Sequence, residues 1–160
     1  MYNKVFYNLY FNRKLKMHLE YSINNTIGTI TLVNPPYNYL RPDVLMDTTE
    51  LADFLANQDL KGVIINGRGG NFCGGWEPNT KLDDPQIVQF NLLLETISFA
   101  LVPVAAVIKG KCQGPGLALA LSCHFRFASQ GAELGFSDTP SEYTTVHHIQ
   151  ELVTDQDSSI

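Results

Sequence analysis

Three observations predict an α/β domain. Two short, nearly all-apolar runs, 61–66 (KGVIIN) and 103–108 (PVAAVI), have the composition of strands inside a covered parallel sheet. Each feeds a glycine-rich loop, GRGGNFCGGWEPN after the first and GKCQGPG after the second. Each loop is followed by apolar residues at helical spacing.

The elements follow in order. From Met17 the chain alternates, with Met17, Leu19, Tyr21 and Ile23 on one side and His18, Glu20 and Ser22 on the other. Asn24-Asn25 suits a two-residue hairpin turn because Asn tolerates positive φ. The β-branched stretch 26–33 supplies the returning strand, and Asn34-Pro35-Pro36 ends it. Pro42 is expected to open a helix, with Val44, Leu45, Thr48, Leu51, Ala52 and Leu55 in phase. A second helix is expected over Pro85–Ala100, with Ile87, Phe90, Leu94 and Ile97 on its buried face. After strand 103–108, residues 110–116 read as loop, 117–123 as a short buried helix and 125–128 as a strand. Residues 1–16 are expected to be an N-terminal extension outside the fold, leaving 17–160 as the domain. The polar end, TDQDSSI, is expected to fray.

Composition narrows the function. The 160 residues are 44% hydrophobic and 17% charged, the balance of a globular chain with a core. A formal charge of -5 leaves no basic stripe for nucleic acid. No run approaches the ~20 apolar residues of a membrane span, so no membrane association is expected. Cys73, Cys112 and Cys123 are odd in number and lack a Cys-x-x-Cys spacing. That suits a reducing cytoplasm and small buried side chains rather than a disulfide framework. His147-His148 is no metal site, since adjacent side chains point apart and no further ligands are evident.

A buried strand entering a glycine loop and then a helix presents free backbone N–H groups at the helix start. Two such junctions aimed at one point suit the stabilisation of an oxyanion. The segment GVIINGRGGNFCGGWEPN resembles the first oxyanion loop of the crotonase family, the enoyl-CoA hydratase/isomerase-like proteins. PVAAVIKGKCQGPGLALALSCHFRFASQGAELGFSD resembles its second oxyanion segment through to the acyl pocket. The hairpin and RPDVLMDTTELADFLANQDLKGVII match the start of that fold, so the resemblance covers Met17 to about Asp138. It implies a crotonase-like fold of repeated ββα units. It also implies an acyl-CoA or acyl-carrier thioester whose carbonyl accepts two backbone hydrogen bonds, with no cofactor beyond the coenzyme A of the substrate. The first donor is expected at Trp76, after Gly74-Gly75. The second is expected in Gly114-Pro115-Gly116, where Gly74, Gly75 and Gly114 line the thioester. The family's two carboxylates correspond to Ala118 and Asp138.

The chain departs from that pattern at three points. Pro115 occupies the second donor position and has no N–H; loss of one such donor costs roughly 2.7–4 kcal/mol of transition-state stabilisation. A shift of one residue would let Gly116 donate instead, and Pro115 equally suits the first turn of a helix. Ala118 removes one carboxylate, leaving Asp138 as the candidate acid–base group, although a turn or cap role also fits it. The resemblance implies that family members continue well beyond Asp138 into C-terminal helices, which this sequence is expected to be too short to supply. The expectation is therefore a homo-oligomer or a complementing partner. The expected function is an acyl-thioester protein of the hydratase/isomerase type with impaired or lost hydration. The alternative is a non-catalytic binding or partner subunit.

Overall fold

The computed structural model describes residues 18–42 and 48–136. The N-terminal extension and the polar C-terminal end lie outside these residues. Strand β1 (His18–Asn24) and strand β2 (Ile27–Val33) pair antiparallel, with Asn24 opposite Ile27. The turn is thus Asn25-Thr26, one residue later than expected, because Asn25 is the residue at φ 54°. Helix α1 (Thr49–Leu55) buries Leu51 and Leu55. Its expected start at Pro42 cannot be followed through 43–47, which lie outside the described residues.

Strand β3 (Gly62–Gly67), helix α2 (Asp84–Ser98) and strand β4 (Val104–Ile108) follow. Helix α2 starts where it does because Asp83 and Gln86 form a reciprocal capping box and Pro85 occupies the first turn. It buries Phe90, Leu93, Leu94 and Ile97. The stretch expected to be only a glycine loop contains a short strand, β5 (Lys111–Gln113). Helix α3 (Pro115–Ser122) begins two residues earlier than expected, with Pro115 in its first turn. Strands β6 (Phe125–Ala128) and β7 (Glu133–Gly135) end the described chain.

The larger sheet has the order β1-β2-β3-β4-β6, and β5 pairs with β7 in a second, two-stranded sheet. Strands β2, β3, β4 and β6 are parallel. One face of the large sheet, carrying Ile30, Leu32, Val63, Ile65, Val104, Ala106 and Ile108, packs into a core with Leu51, Leu55, Phe90, Leu94 and Ile97. On the edge strand β6, Phe125 and Phe127 are exposed. Among the described residues no helix is long and apolar enough to cross a membrane.

The core assignment yields a contrast within one helix. Leu94 is wholly buried and Val88 is exposed. Leu94→Ala is expected to cost about 2–5 kcal/mol, and Val88→Ala to change stability by about 0.5 kcal/mol or less. Urea unfolding midpoints of the two variants check the assignment.

Candidate functional site

Parallel neighbours end at the same edge of a sheet, so the loops leaving β3 and β4 emerge side by side. They are also bonded to each other. Phe72 N and Cys73 N donate to Lys111 O at 3.1 and 2.9 Å, and Gln113 N donates to Cys73 O at 2.9 Å. Gly116, in the first turn of α3, lies directly against Cys73; a Cβ there would sit 2.6 Å from Cys73 O. Only glycine permits that approach. Gly75 adopts φ 113° and Gly114 φ 50°, backbone conformations that a residue with a side chain rarely takes.

These contacts set the Cys73–Gly75 backbone, which precedes Trp76, against Gln113, Pro115 and Gly116. A Cβ on Gly75 would stand 3.7 Å from Gln113 O and 4.0 Å from Pro115 Cδ. Leu40 N donates to Gly75 O and Glu77 N to Leu40 O, which pins the backbone on both sides of Trp76. The Trp76 N–H itself has no acceptor among the described residues, and neither do the N–H groups of Gly116 and Leu117. Ala118 N is used, donating to Gly114 O, and the Ala118 side chain is wholly buried. The indole of Trp76 packs edge-on against Phe90 of α2, with ring centroids 5.0 Å apart. Asp138 and His147-His148 lie outside the described residues. Among those described, no three His, Cys, Asp or Glu residues are grouped to hold a metal ion.

Two asparagines brace the loops and escaped sequence reasoning. Asn38 is completely buried. Its amide donates to Arg68 O and Asn71 O at 3.0 and 2.7 Å, and its Oδ1 accepts from Asn34 N at 3.0 Å. Asn71 donates to Pro36 O and accepts from Lys111 N, tying the first loop to the second. The available signal was the turn chemistry of NPPYN, since Asn38 sits at φ 52°.

The three cysteines are buried and free. Desolvation pushes the Cys73 thiol from 9.0 up to about 12, against lesser opposing contributions of the Gly75 and Leu40 backbone. Cys112 rises to about 12 through burial, with further contributions from Cys73 and Cys123. Cys123 rises to about 12 through burial, partly opposed by Arg126. Thiols held protonated in this way are packing groups and not nucleophiles.

Residues 22–147 match the family model for enoyl-CoA hydratase/isomerase. Over 122 residues the chain is 36% identical to the peroxisomal bifunctional enzyme of Danio rerio, covering 72% of this chain and 16% of that protein. It is 31% identical over 122 residues to a peroxisomal fatty acid beta-oxidation multifunctional protein of Arabidopsis thaliana, covering 70% of this chain and 17% of that one. Among solved structures, the enoyl-CoA hydratase of Thermoplasma volcanium superposes with TM-score 0.68 at 26% identity, covering 76% of this chain and 52% of that one. The enoyl-CoA hydratase of Mycobacterium avium subsp. paratuberculosis gives TM-score 0.63 at 28% identity, with coverages of 72% and 46%. The chain thus spans about a sixth of the multifunctional relatives and about half of these solved ones.

The buried thiols provide a pH test of the packing between the loops. The native thiols keep their protons up to about 12, while those of the unfolded chain lose theirs near 9.0. Above that lower value the unfolded state binds fewer protons, so stability falls as pH rises. The thiol contribution is expected to be complete below about pH 9 and to be lost progressively toward pH 12. Urea midpoints across this range check it, and Cys73→Ala should flatten the decline.

Proposed function

The chain belongs to the enoyl-CoA hydratase/isomerase family, and from that premise we propose that it binds an acyl-CoA or acyl-carrier thioester between its two glycine loops, with hydration impaired or lost. The observation that carries this reading is that Trp76 N–H and Gly116 N–H, on loops hydrogen-bonded to each other, have no acceptor among the described residues. A thioester carbonyl oxygen accepting from both would be stabilised as it gains negative charge toward an enolate. Gly116 takes over from position 115, where Pro115 has no hydrogen to give.

The proton chemistry is reduced. Addition of water to an enoyl thioester needs one group to activate the water and a proton delivered to Cα. Ala118 supplies neither. Asp138 is the remaining acid–base group in this reading. Gly135 O accepts from Gly114 N at 2.8 Å. Asp138 follows Gly135 by three positions in the sequence, a tether of at most about 11 Å. One carboxylate suffices to carry a proton from Cα to Cγ of an enoyl thioester, so isomerisation fits these residues better than hydration. A second reading, binding without turnover, is favoured by the buried Ala118 methyl group. Tight acyl-CoA binding with neither hydration nor isomerisation would establish it.

With crotonyl-CoA the purified protein is expected to turn over well below the usual enzyme range of about 1–10³ per second. Isomerisation of a β,γ-enoyl-CoA is expected to exceed hydration and to fall about 10²–10⁴-fold in Asp138→Ala. Loss or gain of the conjugated thioester absorbance measures both. Fast hydration abolished by Asp138→Ala would show that a single carboxylate is enough.

Pro115→Gly adds an amide hydrogen beside that of Gly116. It is expected to tighten an enolate-like acyl-CoA analogue by about tenfold or more while changing an ordinary acyl-CoA less, since such donors act mainly on developing charge. Calorimetric titration of the two ligands checks this, and equal effects on both would make Pro115 a helix-start residue only.

A further inference from the structure

Trp76 carries an amide without an acceptor among the described residues and a large side chain on the same residue. An accepting carbonyl oxygen sits about 2.9 Å from its donor nitrogen. The first acyl carbons of a thioester bound there therefore lie within about 6 Å of the Trp76 Cβ. The direction the indole takes thus decides where an acyl chain can run.

That direction is toward α2. The indole is half-buried and meets the buried Phe90 ring edge-on. Its backbone is held on either side by hydrogen bonds with Leu40, which fixes where the side chain leaves the loop. On the other loop, Pro115, Gly116, Leu117 and Ala118 are all buried, closing the α3 side. We propose that the Trp76 indole, backed by Phe90, forms the end wall of the acyl site and limits this protein to short acyl groups. The inference rests on the acyl-thioester reading above and adds the length of the acyl group to it.

Removing the indole would expose the ring of Phe90, which is apolar and otherwise buried, to the acyl site. Each methylene that then leaves water favours binding.

Trp76 is the sole tryptophan in the sequence, so the intact protein reports on its own wall. The experiment titrates free coenzyme A, butyryl-CoA and octanoyl-CoA into the full chain, by calorimetry and by tryptophan emission. It repeats the calorimetry with Trp76→Ala and the milder Trp76→Leu, whose larger side chain guards against loss of the fold. Butyryl-CoA is expected to bind the parent protein at least as tightly as octanoyl-CoA and to shift the emission where free coenzyme A does not. Both variants are expected to tighten octanoyl-CoA relative to butyryl-CoA, by about tenfold or more in Trp76→Ala. Acyl-CoA binding with an unmoved emission and an unchanged length preference in both variants would overturn the wall while leaving the thioester reading intact. Absence of binding by any acyl-CoA would overturn the thioester reading, and the wall with it.

Discussion

The close approach of Gly116 to Cys73 is the constraint on which the site depends. A single added methyl at Gly116 would overlap the Cys73 carbonyl. The contact lets the first turn of α3 lie flat against the loop leaving β3, and the Gln113-to-Cys73 hydrogen bond holds it there. Parallel strands β3 and β4 bring the two loops to one edge of the sheet. They do not by themselves bring the loops within hydrogen-bonding distance. That final step needs residues without side chains at the meeting point, a buried Asn38 to fold the first loop back, and Asn71 to stitch it to Lys111.

The proposed site relies on backbone dipoles. Peptide N–H groups are already oriented by the loops, and their partial charges require no counter-ion. The side chains beneath them are correspondingly apolar. The Cys73 thiol is held protonated, and Cys112 and Ala118 are wholly buried. This economy has a consequence for variation. Most substitutions leave a peptide N–H in place, and proline alone removes one. In the proposed site Pro115 is the residue that touches the donor set, and it sits where a helix start tolerates it. Ala118, by contrast, is a side-chain loss that leaves the helix undisturbed.

Membership of the hydratase/isomerase family is compatible with the proposed loss of hydration because fold and chemistry rest on different residues. The fold needs the apolar strands, the capping box of α2 and the glycines at the loop junction. The chemistry needs two amide donors and two carboxylates. A chain can retain the first set intact while the second is reduced, and its sheet, loops and helices then keep the family's arrangement.

The sequence by itself determined the large elements and the identity of the loops. Strand runs at 61–66 and 103–108 were legible from their apolar composition, although each fully buries only alternate residues among those described, and β6 was legible from Phe125 to Ala128. The hairpin turn was legible to within one residue. The short strands β5 and β7 were not, because three residues carry no periodicity, and KCQ and ELG become strands only by pairing with each other. The early start of α3 at Pro115 was likewise hidden, since proline marks both loops and first turns. Tertiary structure alone decided that Asn38 would be buried, because three partners distant in the chain or across its turn satisfy its amide. It alone turned the Trp76 indole onto Phe90. A sequence records which side chains are present; which of them meet depends on strand order and on how closely two backbones can approach, and here a glycine allowed that approach.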